Sequence, residues 1–507
     1  MPRRGAVLGT LSLDRGGEPL HRQLYGALRE AILAGRLRPG TRLPATRTLA
    51  REVGAARNTV VTAFEQLVAE GYLQSRVGDG TRVAAVLPET LLHARRMRVA
   101  DPPRGAAPGL SSRGEAMVAA RRPTADPLRR AFQPGLPAVD LFPRDVWARL
   151  LARRARLPGR GNLGYAHPTG LPALREAIAA YLGPARGVTC EPSQVIVVAG
   201  SQAGLDLGCR LLLDAGDPAW IEDPGYLGAR GALLAAGARL VPVPIDGEGI
   251  DVDAGARTSG GARLVYVTPS HQFPLGVTMS LARRLQLLAW AARADAWVLE
   301  DDFDSEFRYA GRPVAAMQGL DAAGRVVYLG TFSKTMFPSL RAGYLVVPAA
   351  LVDAFTVAVR LTGHQVAADV QAALADFIAD GHFTAHVRRM RGLYASRQER
   401  LVRALRGRLD GVLAVDARDG GMQVAGMLPS GADDVAASRA ADAEDVIAPP
   451  LSLYHVGAPV RRGLHLGYAG VPEREITAGV ERLARALERW RRAGGVVARA
   501  MVRSAPR

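Results

Sequence analysis

The chain has 507 residues, a formal net charge of +17 and two cysteines. That length exceeds one ordinary hydrophobic core and implies two or more domains. A composition of 48% hydrophobic and 22% charged residues is that of a soluble globular chain, and no stretch is long and apolar enough to span a bilayer, so no membrane partner is expected. Cys190 and Cys209 have neither metal-ligand nor disulfide-framework spacing, and Arg3-Arg4 is followed by no apolar signal segment; a reducing cytoplasm fits, and no metal site is expected. The basic balance, with a pI near 10.7, points to a polyanionic partner, although a general arginine bias gives the same number.

The first patterned stretch carries Leu20, Leu24, Leu28 and Ile32 at helical spacing and ends at Gly35. Leu37-Arg38-Pro39-Gly40 is a turn. Thr46 is the expected N-cap of a short helix over Arg47 to Val53, which Gly54 breaks. A second helix from Arg57 runs through Val60, Phe64 and Leu67 to Glu70. Two short strands then flank Gly78-Asp79-Gly80 as a hairpin, one over Tyr72 to Arg76 and one over Thr81 to Ala84. Helix, short helix, turn, longer helix and two-stranded wing make a winged helix-turn-helix over residues 12–85.

In such a unit the start of the second helix enters the major groove of duplex DNA. Here that start reads Arg57-Asn58-Thr59, with Thr62 one turn on. Arginine and asparagine read base edges; threonine contacts phosphate or a thymine methyl. Arg47 opens the preceding helix, and Arg76 and Arg82 stand on the wing, all suited to phosphate. Each alone is equally a solvated surface arginine; as a set they make double-stranded operator DNA the expected partner.

Residues 86–125 are basic and Pro/Gly-rich and read as a linker, largely without regular structure. From about residue 126 the pattern alternates. Val195–Val198, Ala219–Glu222, Arg239–Val243, Leu264–Thr268, Ala296–Leu299 and Val326–Leu329 read as strands, with helices between them at Leu174–Leu182, Ser201–Leu213 and Leu281–Ala292. That alternation predicts a mostly parallel sheet covered by helices, whose ligands sit beyond the carboxyl ends of the strands. Residues 367–507 read as a smaller α+β subdomain.

One position stands apart. Lys334 is the only lysine among 65 basic residues. Arginine stays protonated, whereas lysine can lose its proton and form a Schiff base. Lys334 follows the strand at 326–329 and sits in Thr331-Phe-Ser333-Lys334, with Arg341 shortly after. Hydroxyls, backbone N–H groups and an arginine beside an amine suit a phosphorylated aldehyde such as pyridoxal 5'-phosphate (PLP). A surface lysine on a loop is the plainer alternative. Phosphate needs donors at a helix start; Ser201 and Gln202 supply one set, Thr331 and Ser333 a second, and Arg341 a charged one.

The N-terminal text resembles the GntR family DNA-binding domain through Leu43-Pro44-Ala45-Thr46-Arg47-Thr48-Leu49-Ala50, Arg57-Asn58-Thr59-Val60 and Phe64-Glu65-Gln66-Leu67. The family often has serine where this chain has Ala45. The whole chain resembles the MocR branch, regulators that join this domain to a type I PLP-dependent aminotransferase-like domain. The phrases are Gly200-Ser201-Gln202, Glu222-Asp-Pro-Gly-Tyr226, Thr268-Pro-Ser-His271-Gln272-Phe-Pro274 and Glu300-Asp301-Asp302-Phe303-Asp304. By that resemblance Lys334 forms the Schiff base, Asp301 faces the pyridine nitrogen, Tyr226 covers the ring and His271 and Gln272 lie near its hydroxyl. Tyr165 reaches the phosphate of the neighbouring subunit, which implies a head-to-tail homodimer. Two departures stand out. Phe303 replaces a tyrosine that donates to the cofactor's phenolic oxygen, and His465-Leu466-Gly467-Tyr468 carries histidine where aminotransferases have the carboxylate-binding arginine. Both argue against efficient transamination. The expectation is therefore a transcriptional regulator that senses PLP itself and controls vitamin B6 synthesis genes. The alternatives are a regulator responding to an amine or amino acid through the cofactor, and a working aminotransferase that kept its DNA-binding domain.

Overall fold

The computed structural model describes residues 13–14, 17–76, 80–87, 109–119, 131–156, 164, 166–311 and 314–494. The hairpin tip at 78–79, Tyr165 and most of the expected linker lie outside them. The chain forms two compact units, Met1–Gly109 and Leu110–Arg507.

In the first unit three helices, Leu20–Leu33, Thr46–Glu52 and Arg57–Ala69, precede β1 (Leu73–Arg76) and β2 (Gly80–Val83). The strands pair antiparallel, Leu73 opposite Val83 and Arg76 opposite Gly80. Leu24, Leu28, Leu49, Val60, Leu67 and Leu73 form the core, each nearly or fully buried. At about 25 cal/mol per Å2 of apolar area removed from water, this spacing fixes which helix faces turn inward. The N-cap of the short helix is Ala45, in extended conformation and without a side-chain cap; Thr46 is the first helical residue. The expected Thr46 cap is thus one residue late.

The second unit begins with a helix at Ser112–Ala119, inside the stretch expected to lack regular structure; it packs against the helix Leu227–Ala236. Polar and small residues give that stretch its linker-like composition, and tertiary packing overrides it. An eight-stranded sheet follows. Its strands are β3 (Val195–Val198), β4 (Pro218–Asp223), β5 (Arg239–Asp246), β6 (Gly249–Ile250), β7 (Leu264–Val267), β8 (Trp297–Asp302), β9 (Val326–Thr331) and β10 (Gly343–Val346). They lie in the order β3-β10-β9-β8-β7-β4-β5-β6. The strands β9, β8, β7, β4 and β5 are mutually parallel. β10 is antiparallel to both its neighbours, and β6 is antiparallel to β5.

Helices cover both faces. The helix Ser201–Leu212 sits close to the sheet because Gly204 lies against it: a Cβ there would be 2.6 Å from Leu329 and 3.3 Å from Leu345. That close approach sets where the helix N-terminus stands relative to the end of β9. The C-terminal part is a three-stranded antiparallel sheet, β11 (Ala414–Val415), β12 (Gln423–Met427) and β13 (Gly463–Gly467), packed on the helices His382–Leu409 and Glu473–Arg492. No helix among the described residues is long and apolar enough to cross a membrane.

Candidate functional site

In the first unit Arg57 and Asn58 are exposed at the start of their helix, with Thr59 half-buried. Thr62 is exposed, and its hydroxyl donates back to the Asn58 carbonyl at 3.0 Å. Arg47 is exposed on the preceding helix and Arg76 on β1. Arg82 is different. It is half-buried, and its guanidinium donates to the Gly40 carbonyl at 3.3 Å, tying the wing to the turn before it.

In the second unit a cavity of about 290 Å3 opens at the carboxyl ends of the parallel strands. Strand β8 delivers Asp301, β9 delivers Thr331, and the turn after β9 delivers Ser333 and Lys334. Ser201 and Gln202 stand at the N-terminus of their helix. Arg341, in left-handed conformation at φ 51°, brings its guanidinium beside Gly200 at the same helix start. These are the donors a phosphate needs: backbone N–H groups, hydroxyls and one fixed positive charge.

Lys334 Nζ donates to the Gly135 carbonyl at 2.7 Å. Asp301 is 4% exposed. Its Oδ2 accepts from the Tyr266 hydroxyl at 2.8 Å, and its Oδ1 has no hydrogen-bond partner. Burial pushes the Asp301 carboxyl up to about 7, against the pull of Tyr266 and Lys334. A buried carboxylate oxygen left unpaired beside a cavity is costly unless a cation or N–H comes to it. A protonated pyridine nitrogen supplies that, so the residues present fit PLP: Lys334 for the aldehyde carbon, Asp301 for the ring nitrogen, and Ser201, Thr331, Ser333 and Arg341 for the phosphate.

Tyr226 and Phe303 also line the cavity. Phe273 joins them in an edge-on aromatic wall, 5.4 Å from Tyr226 and 6.1 Å from Phe303 between ring centres. His271 and Gln272 do not reach it. His271 turns to Asp304 at 2.9 Å, and Gln272 donates to the Pro224 carbonyl at 2.8 Å. Both are held in the packing of the loop that follows β7, so their expected approach to the ring hydroxyl is not what the structure shows. Asp302 points away as well. Burial opposes its ionisation, but Arg186 at 2.7 Å and the Tyr328 hydroxyl at 2.7 Å outweigh it and hold the carboxyl below its usual range.

The C-terminal part also lines the cavity, with Met422, Gln423, Ile447, Pro449 and Tyr454. None was singled out from the sequence. Gln423 is a polar residue in an apolar strand, 2% exposed, with Oε1 unpartnered; that misplaced polarity was the available signal. His465 lies on β13, fully buried, with Nδ1 3.1 Å from the Tyr454 hydroxyl. Burial, then the nearby His271, lowers its pKa to about 3, so it is neutral. The two arginines beside it in sequence are engaged elsewhere: Arg461 donates to the Ile245 carbonyl at 3.0 Å, and Arg462 pairs with Asp434 at 3.2 Å.

An exposed reading helix in one unit, and a lysine–aspartate cavity at the strand ends of the other, define a DNA-binding regulator built on an aminotransferase-like domain. The profile of the bacterial regulatory proteins of the gntR family matches residues 20–83, and that of the class I and II aminotransferases matches residues 140–483. The chain is 48% identical over 474 residues to the probable rhizopine catabolism regulatory protein MocR of Rhizobium meliloti, covering 93% of this chain and 95% of that one. It is 33% identical over 376 residues to the pyridoxine biosynthesis transcriptional regulator PdxR of Corynebacterium glutamicum, covering 74% and 76%. The second unit is similar to LysN, the alpha-aminoadipate aminotransferase of Thermus thermophilus, solved with N-(5'-phosphopyridoxyl)-L-leucine. There the TM-score is 0.67 at 29% identity, over 72% of this chain and 93% of LysN. The chain belongs to the MocR-type GntR regulators.

Proposed function

We propose that this regulator holds PLP on Lys334 and changes its grip on operator DNA when a small amine reaches the cofactor. When bound, PLP supplies an electrophilic carbon that an amine can take over from Lys334. The observation that carries the reading is the make-up of the cavity lining. Besides Lys334, Asp301 and the phosphate donors it includes Met422, Gln423, Ile447, Pro449 and Tyr454 from the C-terminal part, which the cofactor-holding roles do not use. The relative at 48% identity is named as a regulator of rhizopine catabolism rather than of cofactor synthesis. Lys334 holds and releases, Asp301 keeps the ring nitrogen protonated, and Arg341 anchors the phosphate. The two copies that a paired operator needs are proposed to associate head-to-tail, with Tyr165 completing the neighbour's phosphate site. Loading the protein with PLP, adding simple amines, and following the visible Schiff-base band together with operator affinity tests this reading. A DNA response to amine that disappears in Lys334→Ala supports it; an amine-blind protein rejects it.

A second reading has its own support. Phe303 offers no hydroxyl to the cofactor and His465 no charge to a carboxylate. A site that holds PLP well and amino acids poorly suits a sensor of PLP itself, governing vitamin B6 synthesis, and the likeness to PdxR agrees. Operator binding that responds fully to PLP with no amine present selects it.

A further inference from the structure

Tyr266 is a phenol in an otherwise aliphatic strand, Leu264-Val265-Tyr266-Val267, and all four residues are buried. The strand β7 is paired on both sides: Tyr266 stands opposite Ile221 of β4 and opposite Leu299 of β8. Side chains alternate along a strand, so Leu299 and Asp301 share one face of the sheet with Tyr266. Tyr266 is therefore the diagonal neighbour of Asp301 on that face, a separation that a long side chain bridges. Its hydroxyl donates to Asp301 Oδ2 at 2.8 Å, and both residues line the cavity together with Lys334. Among the described residues that hydroxyl is the one hydrogen-bond donor to the Asp301 carboxyl.

The surroundings of Asp301 give that bond weight. Burial disfavours its ionisation most, and Asp302 and Asp304 from its own segment add to this. Glu222, fully buried on β4, is a further acid coupled to it. Tyr266 and then Lys334 act the other way. A hydrogen bond given to the ionised form stabilises that form and makes the carboxylate a weaker base.

We propose that Tyr266 is the positioning residue of the cofactor site: its hydroxyl fixes the Asp301 carboxylate in the cavity lining and weakens it as a base, so that the proton between Asp301 and the pyridine of PLP stays on the ring nitrogen. This rests on the PLP reading above and adds the residue that sets how Asp301 behaves. The proton is neither gained nor lost; Tyr266 decides which of the two atoms carries it.

The test compares the full chain with Tyr266→Phe, which removes one oxygen and keeps the ring. Both are loaded with PLP carrying nitrogen-15 in its pyridine, and the nitrogen resonance, which separates the protonated from the unprotonated ring, is followed against pH. The wild type is expected to keep the ring nitrogen protonated at pH 7. Tyr266→Phe is expected to lose that proton at a pH lower by about one unit or more, the size of one hydrogen bond to a charged group. In the cofactor-free chain the same substitution should raise the pH at which Asp301 ionises, from about 7, by a similar amount. That pH is where the melting-temperature difference from the matching Asp301→Asn chain levels off, since a raised carboxyl loses its stability with rising pH only until it is ionised. If either the resonance or the levelling-off point stays in place in Tyr266→Phe, the proposal is overturned. An unprotonated ring nitrogen in the wild type at pH 7 overturns it whether or not the variant folds. A wild type that takes up no PLP rejects the cofactor reading itself, and this inference goes with it.

Discussion

Lys334 Nζ lies 2.7 Å from the carbonyl oxygen of Gly135, and a side chain at Gly135 would crowd that amine. Its φ is 72°, and a Cβ would sit 2.9 Å from Nζ. The amine is thus parked by a backbone group from the start of the unit, nearly two hundred positions away in the chain. Gly135→Ala combines left-handed strain with a methyl group against the amine. It is expected to weaken PLP retention by about tenfold or more while leaving the fold intact, since about 1.4 kcal/mol is enough for that. Equilibrium dialysis with PLP and circular dichroism on the same sample check the two halves.

Asp301 gives a pH signature to the cofactor-free protein. Its folded-state pKa is about 7 through burial. In the unfolded chain an aspartate titrates near ~3.9. A raised carboxyl pKa means that the protonated form is favoured on folding. The associated stability is complete below about pH 4 and is lost as the pH rises through about 7. Asp301→Asn has no such loss. Its melting temperature relative to the wild type should therefore climb between those two values, by up to about 1.4 kcal/mol of stability per pH unit. Adding PLP should reverse the ranking, because the ring nitrogen then pairs with the wild-type carboxylate. A flat difference across that range contradicts the assignment.

Much of this was legible in the sequence because the signals were local. A helix-period run from Leu20, a strand ending in Glu300-Asp301-Asp302, and a single lysine after β9 each need only their neighbours to be read. What escaped depended on tertiary partners. Strand β10, just after Arg341, was not read from the sequence, because Gly343 and Tyr344 look like loop until β3 and β9 flank them. The helix Ser112–Ala119 has linker composition and becomes a packed element only against Leu227–Ala236. His271 and Gln272 sit in a phrase that points to the cofactor, but Asp304 and the Pro224 carbonyl claim them. Gln423 carried one local signal, a polar residue in an apolar strand, but its place in the cavity lining comes only from the folded structure.

The DNA unit separates reading from holding. Arg57 and Asn58 are exposed at the start of the helix Arg57–Ala69, and Arg76 is exposed on β1. Arg57→Ala and Asn58→Ala should lower the ratio of operator to random-DNA affinity, by about 1–3 kcal/mol per lost base contact. Arg76→Ala should weaken both DNAs alike and flatten the salt dependence. Arg82→Ala should lower thermal stability as well, since it also removes the tie to the Gly40 carbonyl. Fluorescence anisotropy on the two DNAs at several salt concentrations separates these outcomes.

Ala45 leaves the short helix without a side-chain cap. Its backbone is already extended, at φ −60° and ψ 146°, as an N-cap residue requires. Ala45→Ser should therefore stabilise the first unit by about 1 kcal/mol without moving any core residue. Denaturant unfolding followed by helix circular dichroism checks it; an unchanged midpoint would mean that the helix start is already satisfied by water.

The central claim is that the sole lysine couples a small amine to DNA. The most direct measurement is operator affinity of PLP-loaded protein, with and without a simple amine taken from a screen of the visible Schiff-base band, in wild type and Lys334→Ala, on an operator selected from random-sequence DNA. The account predicts that the amine changes the wild-type dissociation constant by about tenfold or more, a coupling of roughly 1.4 kcal/mol or more, and leaves the variant unmoved. An equal change in both proteins, or none in the wild type, would contradict it.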